Sequence, residues 1–175
     1  RQIQDIENLV NEFSSFARMP RPIFKKINLV DVVTRAVEFI KMSSKNEINL
    51  TSNEKKFLIN GDSEQLNRVF INLIKNSEEA FLDIIQKNAD FKGKIDIDII
   101  SNNDYIVVKL TDNGTGITDT KKAMTPYFTT KTKGTGLGLP IVNKIINEHS
   151  GDFSIKNKRN DKGINIDISF PNINA

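Results

Sequence analysis

Two stretches of strict alternation constrain this chain most. In "KIDIDIIS" (94–101) the apolar positions are Ile95, Ile97 and Ile99, and in "YIVVKLTD" (105–112) they are Ile106, Val108 and Leu110. Successive side chains of a strand point to opposite faces, so a period of two marks strands with one buried face and one left to solvent. The short polar interval between the runs suits a hairpin. A second such pair, "GDFSIKNK" and "GINIDISF", lies near the end of the chain, and "EINLTS" and "KFLING" read as further short strands. Helical spacing fills the rest. Leu29, Val32, Val33, Ala36, Val37 and Ile40 share one helical face. Leu66, Val69, Phe70, Leu73 and Ile74 mark a longer helix that Asp62 or Ser63 caps and that runs to about Gln86. Another helix is expected from about Leu137 to His149. This pattern predicts an α/β (α+β) two-layer sandwich, with a mixed, mostly antiparallel sheet and helices on one face.

Ahead of this unit, Ile3, Ile6, Val10, Phe13 and Ala17 alternate spacings of three and four, a heptad seam. A seam this short cannot hold an isolated helix. It packs on another helix, on a second subunit, or on its own domain. The prolines of "RMPRP" (18–22) stop the helical pattern. The organisation expected is therefore a helical segment at 1–18, a linker at 19–27, and one α/β domain at 28–175. A chain of 175 residues can bury a proper core. The net charge of +3 comes from scattered lysines and does not by itself argue for nucleic acid. Without cysteine there are no disulfides or thiolate metal sites. Neither a signal peptide nor a membrane-length apolar run is visible.

Four clusters carry candidate chemistry. Asn72 and Asn76 in "FINLIKNSEEA" are four apart and share one face of the long helix. They are either satisfied surface amides or oxygen donors to a hard cation, which in such sites also takes phosphate and water. "DNGTGI" (112–117) leaves the end of a strand. It is either a plain turn or a loop whose aspartate accepts from an exocyclic amine while its glycines admit a flat ligand. "GTGLGL" (134–139) opens a helix, and its free N–H groups face an anion unless the segment is only a hinge. Its spacing fits neither the P-loop nor the dinucleotide fingerprint. "PYFTTKTK" (126–133) sets Lys131 and Lys133 before those glycines, with Phe128 as an apolar anchor for a mobile lid or simply for a solvated loop.

In their order and spacing these clusters resemble the catalytic, ATP-binding domain of sensor histidine kinases, in the superfamily shared with DNA gyrase, Hsp90 and MutL. "NLIKN" looks like the N box, "DNGTGI" the G1 box, "PYFTTK" the F box and "GTGLGL" the G2 box. The resemblance covers roughly residues 28 to 171 and implies the Bergerat ATP-binding fold. "NEFSSFARMPRP" (11–22) and the short lid are most similar to nitrogen-regulation sensors of the NtrY type.

The resemblance implies a role for each matching residue. Asn76 ligates Mg²⁺, which bridges the ATP phosphates, and Asn72 is the polar residue one turn earlier. Asp112 binds adenine N6, with Gly114 and Gly116 lining the base. Gly134, Gly136 and Gly138 present amides to the phosphates, while Leu137 and Leu139 anchor the helix start. Lys131 and Lys133 are candidate phosphate contacts on a lid at 118–133. Many family members carry a lysine or arginine three residues after the Mg²⁺ asparagine. Here Glu79 stands there, so the lid lysines are expected to take over more of that contact.

In gyrase, Hsp90 and MutL a glutamate four residues before the Mg²⁺ asparagine activates water. Here that position is Asn72, and an amide cannot accept a proton at neutral pH. Phosphoryl transfer to a histidine, resting on positioning and charge neutralisation, is favoured over hydrolysis. The other readings are a superfamily ATPase with nucleotide-gated closure and a non-catalytic nucleotide- or partner-binding module. His149, the one histidine, sits at a helix C-terminus, where the dipole favours it. It is set about 18 Å from the glycine loop along the helix and is not expected to be the acceptor. The heptad resembles the second helix of a dimerisation and histidine-phosphotransfer domain, which places the acceptor helix upstream of Arg1. The expected partners are thus that domain, a second copy of the protein, and a response-regulator receiver domain. The expected setting is the cytoplasmic side of a membrane-anchored sensor.

Overall fold

The computed structural model describes residues 10, 14, 19–102, 104–129, 135–159 and 162–173. The alternating stretches form the centre of the fold. Strands β4 (Lys94–Asn102) and β5 (Tyr105–Asp112) pair antiparallel, with Ile97 opposite Leu110 and Ile99 opposite Val108. Strand β7 (Ile164–Pro171) pairs antiparallel with β5, and β6 (Asp152–Asn157) with β7. Strand β2 (Glu47–Ser52) joins the other edge parallel to β4. The five-stranded order is β2-β4-β5-β7-β6. The parallel β2–β4 pair is separated in sequence by β3 (Leu58–Gly61) and the long helix α2 (Ser63–Ile85), the crossover a parallel connection requires.

The inward residues of these strands, among them Ile95, Ile97, Ile99, Ile106, Val108 and Leu110, are buried. They meet the apolar stripes of α1 (Leu29–Lys41), α2 and α4 (Gly138–Glu148). Burial of this kind stabilises by about 25 cal/mol per Å² of apolar surface and is the main term holding the two layers together. The outward face is polar. Asn49 donates to Asp96 at 2.9 Å, Thr51 to Asp98, and Lys94 pairs with Asp96 at 3.1 Å. Period-two alternation thus separates a helix-covered face from a solvated one, as expected for the two-layer sandwich.

The helix starts are fixed by side-chain caps. Asn28 Oδ1 accepts from Val30 at the start of α1 and also from Phe57, tying the helix to the next loop. Asp62, rather than Ser63, caps α2, accepting from Glu64 and Gln65 at 3.0 and 3.1 Å. Glu78, midway along α2, accepts from Ser44 and Asn46 and pins the α1–β2 connection.

Two elements have no counterpart in the sequence reading. Strand β1 (Lys25–Asn28) pairs antiparallel with β3 in a two-stranded sheet. It contains one apolar residue, Ile27, too few to reveal a period. The single-turn helix α3 (Thr120–Ala123) is held by Asp119, which accepts from Lys121 and Lys122. A helix of four residues is too short to display a stripe. Of residues 1–18 only Val10 and Ser14 are described, both helical. The heptad seam otherwise lies outside the described residues. Among the described residues no helix is long and apolar enough to cross a membrane.

Candidate functional site

Three of the candidate residues, Asp112, Gly114 and Gly138, come up against α2. At its middle lies Ser77, 1% exposed, and its hydroxyl donates to Asp112 Oδ2 at 2.6 Å. Asp112 ends β5 and is 2% exposed. Its other oxygen accepts from the N–H of Gly114 at 2.9 Å and of Ile164 at 3.2 Å. An ionised carboxylate has about four acceptor positions. These three donors leave one, and none of them is a cation. A buried carboxylate held by neutral donors, with acceptor capacity remaining, suits a ligand that brings an N–H of its own.

Gly114 packs beside α2, where a Cβ would come within 2.9 Å of the Ala80 Cβ. Gly163, before β7, has φ +113, and a Cβ there would fall 2.0 Å from the Asp112 carbonyl oxygen. Only glycine permits that approach.

One residue before Ser77 stands Asn76, half-buried and polar-bonded. Gly138, the first residue of α4, lies against it: a Cβ there would sit 3.8 Å from Asn76 Nδ2. Two segments more than 60 positions apart thereby share a site. The N-terminus of α4 has no side-chain cap, and Pro140 in its first turn carries no N–H. The first-turn amides of Gly138 and Leu139 are therefore the groups presented there. Leu137 is fully buried and Leu139 packs on the core, so the helix start is anchored. Among the described residues no three His, Cys, Asp or Glu side chains converge in a way that could hold a metal. A cation at Asn76 would take most of its ligands from phosphate and water, as Mg²⁺ does.

The 125–128 segment meets Gly136. Tyr127 donates its N–H to Gly136 O at 3.1 Å, and Phe128 donates to Thr125 O at 3.2 Å. Gly136 has φ +70, and a Cβ there would lie 2.6 Å from the Tyr127 carbonyl carbon. Phe128 is half-buried. Asn72 is half-buried one turn before Asn76. Glu79 is exposed. Lys131, Lys133 and Gly134 lie outside the described residues.

His149 stands elsewhere, 4% exposed. Its Nε2 accepts from the N–H of Asp62 at 2.9 Å and its Nδ1 faces Ile145 O at 2.7 Å, so the proton sits on Nδ1. Phe24 packs edge-on against the ring at 5.1 Å. Burial pushes its pKa down, and the Ile145 carbonyl and the charges of Asp62 and Glu148 only partly oppose this. Both ring nitrogens are engaged in structure, which agrees with a packing role.

Sequence reasoning missed Ser77, Asn157, Gly163 and Ile164. Ser77 carried a signal: it continues the apolar stripe of Phe70, Leu73 and Ile74 toward Phe81, a polar residue at a buried position. Asn157, Gly163 and Ile164 lie in the β6–β7 hairpin, far in sequence from the loop they contact.

Residues 61–173 match the family described as histidine kinase-, DNA gyrase B-, and HSP90-like ATPase. The chain is 40% identical over 173 residues to the putative sensor histidine kinase NtrY-like of Rickettsia prowazekii (strain Madrid E), covering 97% of this chain and 28% of that protein. Its fold is similar to the nucleotide-free catalytic domain of histidine kinase ThkA, with a TM-score of 0.72, 27% identity, and coverage of 86% of this chain and 96% of that one. It also shares the fold of ThkA in complex with the response regulator protein TrrA, at a TM-score of 0.76 and 20% identity over 98% of this chain and 48% of that one. With more than half of its length matched and the fold in agreement, the chain belongs to the histidine kinase-, DNA gyrase B- and HSP90-like ATPase family.

Proposed function

We propose that this chain is the ATP-binding catalytic domain of a two-component sensor histidine kinase, and that it donates the ATP γ-phosphoryl group to a histidine on a dimerisation domain. The observation that carries this reading is the pair of contacts on neighbouring residues of α2, Ser77 with Asp112 and Asn76 with Gly138. A buried carboxylate and a carboxamide beside a helix N-terminus on adjacent residues of one helix support a nucleotide site there. Asp112 takes the adenine N6 amine on its remaining acceptor position, with Gly114 and Gly116 against the base. Asn76 would hold Mg²⁺ through its amide oxygen, and the ion would supply charge neutralisation at the phosphates. The loop of Gly134, Gly136 and Gly138 supplies amides to the phosphates, with Leu137 and Leu139 seating it, Lys131 and Lys133 adding charge from the lid, and Phe128 anchoring the lid.

Asn72 favours transfer over hydrolysis, because a neutral amide cannot take a proton from water. Transfer to an imidazole then rests on placement and charge neutralisation. In the whole protein the phosphorylated histidine passes its group to a response-regulator aspartate. Such a protein works as a homodimer on the cytoplasmic side of a membrane-anchored sensor, with residues 1–18 as part of a dimerisation helix, 19–27 as linker and 28–175 as the catalytic domain.

Calorimetric titration with Mg-ATP tests the site. Binding by the wild-type chain, its loss in Asp112→Ala, and slow phosphate release are expected. Rapid steady-state hydrolysis supports an ATPase instead, and no binding leaves a non-catalytic module.

A further inference from the structure

The loop after Asp112 is gripped by a part of the fold that belongs to none of the four motifs. Asn157 is the last residue of β6, paired in register with Ile164 of β7. Its Oδ1 accepts from the Ile117 N–H at 2.8 Å, and its Nδ2 donates to the Ile117 carbonyl at 2.7 Å. One side chain thus satisfies both main-chain groups of a residue 40 positions away. A carboxamide has an acceptor and a donor side by side, and the two Ile117 partners fix which way it points. Gly116 completes the fit, since a Cβ there would come within 2.9 Å of Asn157 Oδ1.

The same hairpin holds the start of that loop. Ile164 N–H donates to the Asp112 carboxylate, and Gly163 lies against the Asp112 carbonyl. The hairpin therefore fixes Asp112 at one end and Ile117 at the other, with four residues between them. Two residues beyond Ile117 comes Asp119, which caps α3 in the segment expected to begin the lid. A shift at Ile117 moves the glycine that lines the base and the root of the lid together.

We propose that Asn157 is a positioning residue of the nucleotide site, clamping the exit of the adenine loop and setting where the lid begins. This rests on the nucleotide reading above. Asn157 is itself exposed, so water can replace its two bonds when it is removed and the sheet need not be disturbed. Its loss should appear in ligand affinity more than in global stability.

The test compares wild type, Asn157→Ala and Asn157→Asp by titration with Mg-ATP, thermal unfolding and amide hydrogen exchange. Asn157→Ala should weaken binding about tenfold, the effect of two modest hydrogen bonds lost from the bound geometry. Its unfolding midpoint should stay within about 4 °C of wild type. Faster exchange should be confined to residues 114–123. Asn157→Asp has the same size but sets a carboxylate oxygen against the Ile117 carbonyl, so it should weaken binding at least as much. Equal affinity in wild type and Asn157→Ala overturns the proposal while leaving the nucleotide reading intact. So does an Asn157→Asp chain that binds like wild type, or weakening accompanied by faster exchange throughout the sheet. Absence of Mg-ATP binding in the wild type overturns both.

Discussion

Ser77 donates its hydroxyl to Asp112 across a buried gap of 2.6 Å, bridging the middle of the long helix and the end of a central strand. The two residues are 35 positions apart. The bond holds the carboxylate in the layer between helix and sheet, with one acceptor position left for a ligand.

Ser77→Ala should therefore cost about 1–3 kcal/mol of stability, because it removes a donor from a buried charge without supplying another. Urea denaturation measures this through the shift in midpoint at constant slope. The same variant should bind Mg-ATP more weakly. A variant with unaltered stability and unaltered binding would show that the bond is incidental.

The Asp62 side chain has two attachments. It caps α2, and its second oxygen accepts from the N–H of Ile23 at 2.8 Å, fastening the linker to the domain. Burial on its own would push the carboxyl up, but the N–H groups of Ile23, Gln65 and Glu64 outweigh it and hold the pKa below its ordinary value. Asp62→Ala should lower stability by about 1–2 kcal/mol, as for other lost caps. It should also expose the 19–24 segment to protease. Cleavage there at the wild-type rate would contradict the attachment.

His149 makes stability depend on pH in a defined direction. Its folded pKa lies below the ordinary 6.5 because it is buried as the neutral form. The unfolded chain then binds the proton first as pH falls, so stability is full above about 6.5 and declines below it until the folded group also protonates. Thermal unfolding at pH 5.5 should thus come at a lower temperature than at pH 7.5, and His149→Gln should flatten that difference. Asp62 loses its contribution only near its own, more acidic range, outside this window. An unchanged pH slope in His149→Gln would contradict the assignment.

The architecture was legible where a period could be counted. The alternation at 94–112 marks two neighbouring strands of the sheet, and the stripes at 29–40 and 66–74 are the buried faces of α1 and α2. The glycine loops were legible because glycine at such density has a backbone reason, visible at Gly136. Strand β1 was not legible, because with one apolar residue it has no pattern and is defined by its pairing with β3. Ser77 was overlooked as one polar residue inside a helix, although its spacing placed it on the buried stripe. The contacts of Asn157, Gly163 and Ile164 depend on how a late hairpin lies over an earlier loop, and no local pattern encodes that.

Asn72 separates transfer from hydrolysis in this account. Asn72→Glu places a carboxylate one turn before Asn76 and should raise phosphate release from Mg-ATP above the wild-type rate. A coupled phosphate assay measures this. No increase, with nucleotide binding preserved, would mean that the geometry at residue 72, rather than its chemistry, limits hydrolysis.

The most direct measurement combines the chain with γ-labelled Mg-ATP and the dimerisation domain of an NtrY-like kinase. Label should appear on the acceptor histidine of that domain, as an acid-labile phosphoryl group. It should be lost with Asn76→Ala or Asp112→Ala, and His149 should carry none. Transfer that survives both substitutions, or label held stably on His149, would contradict the account.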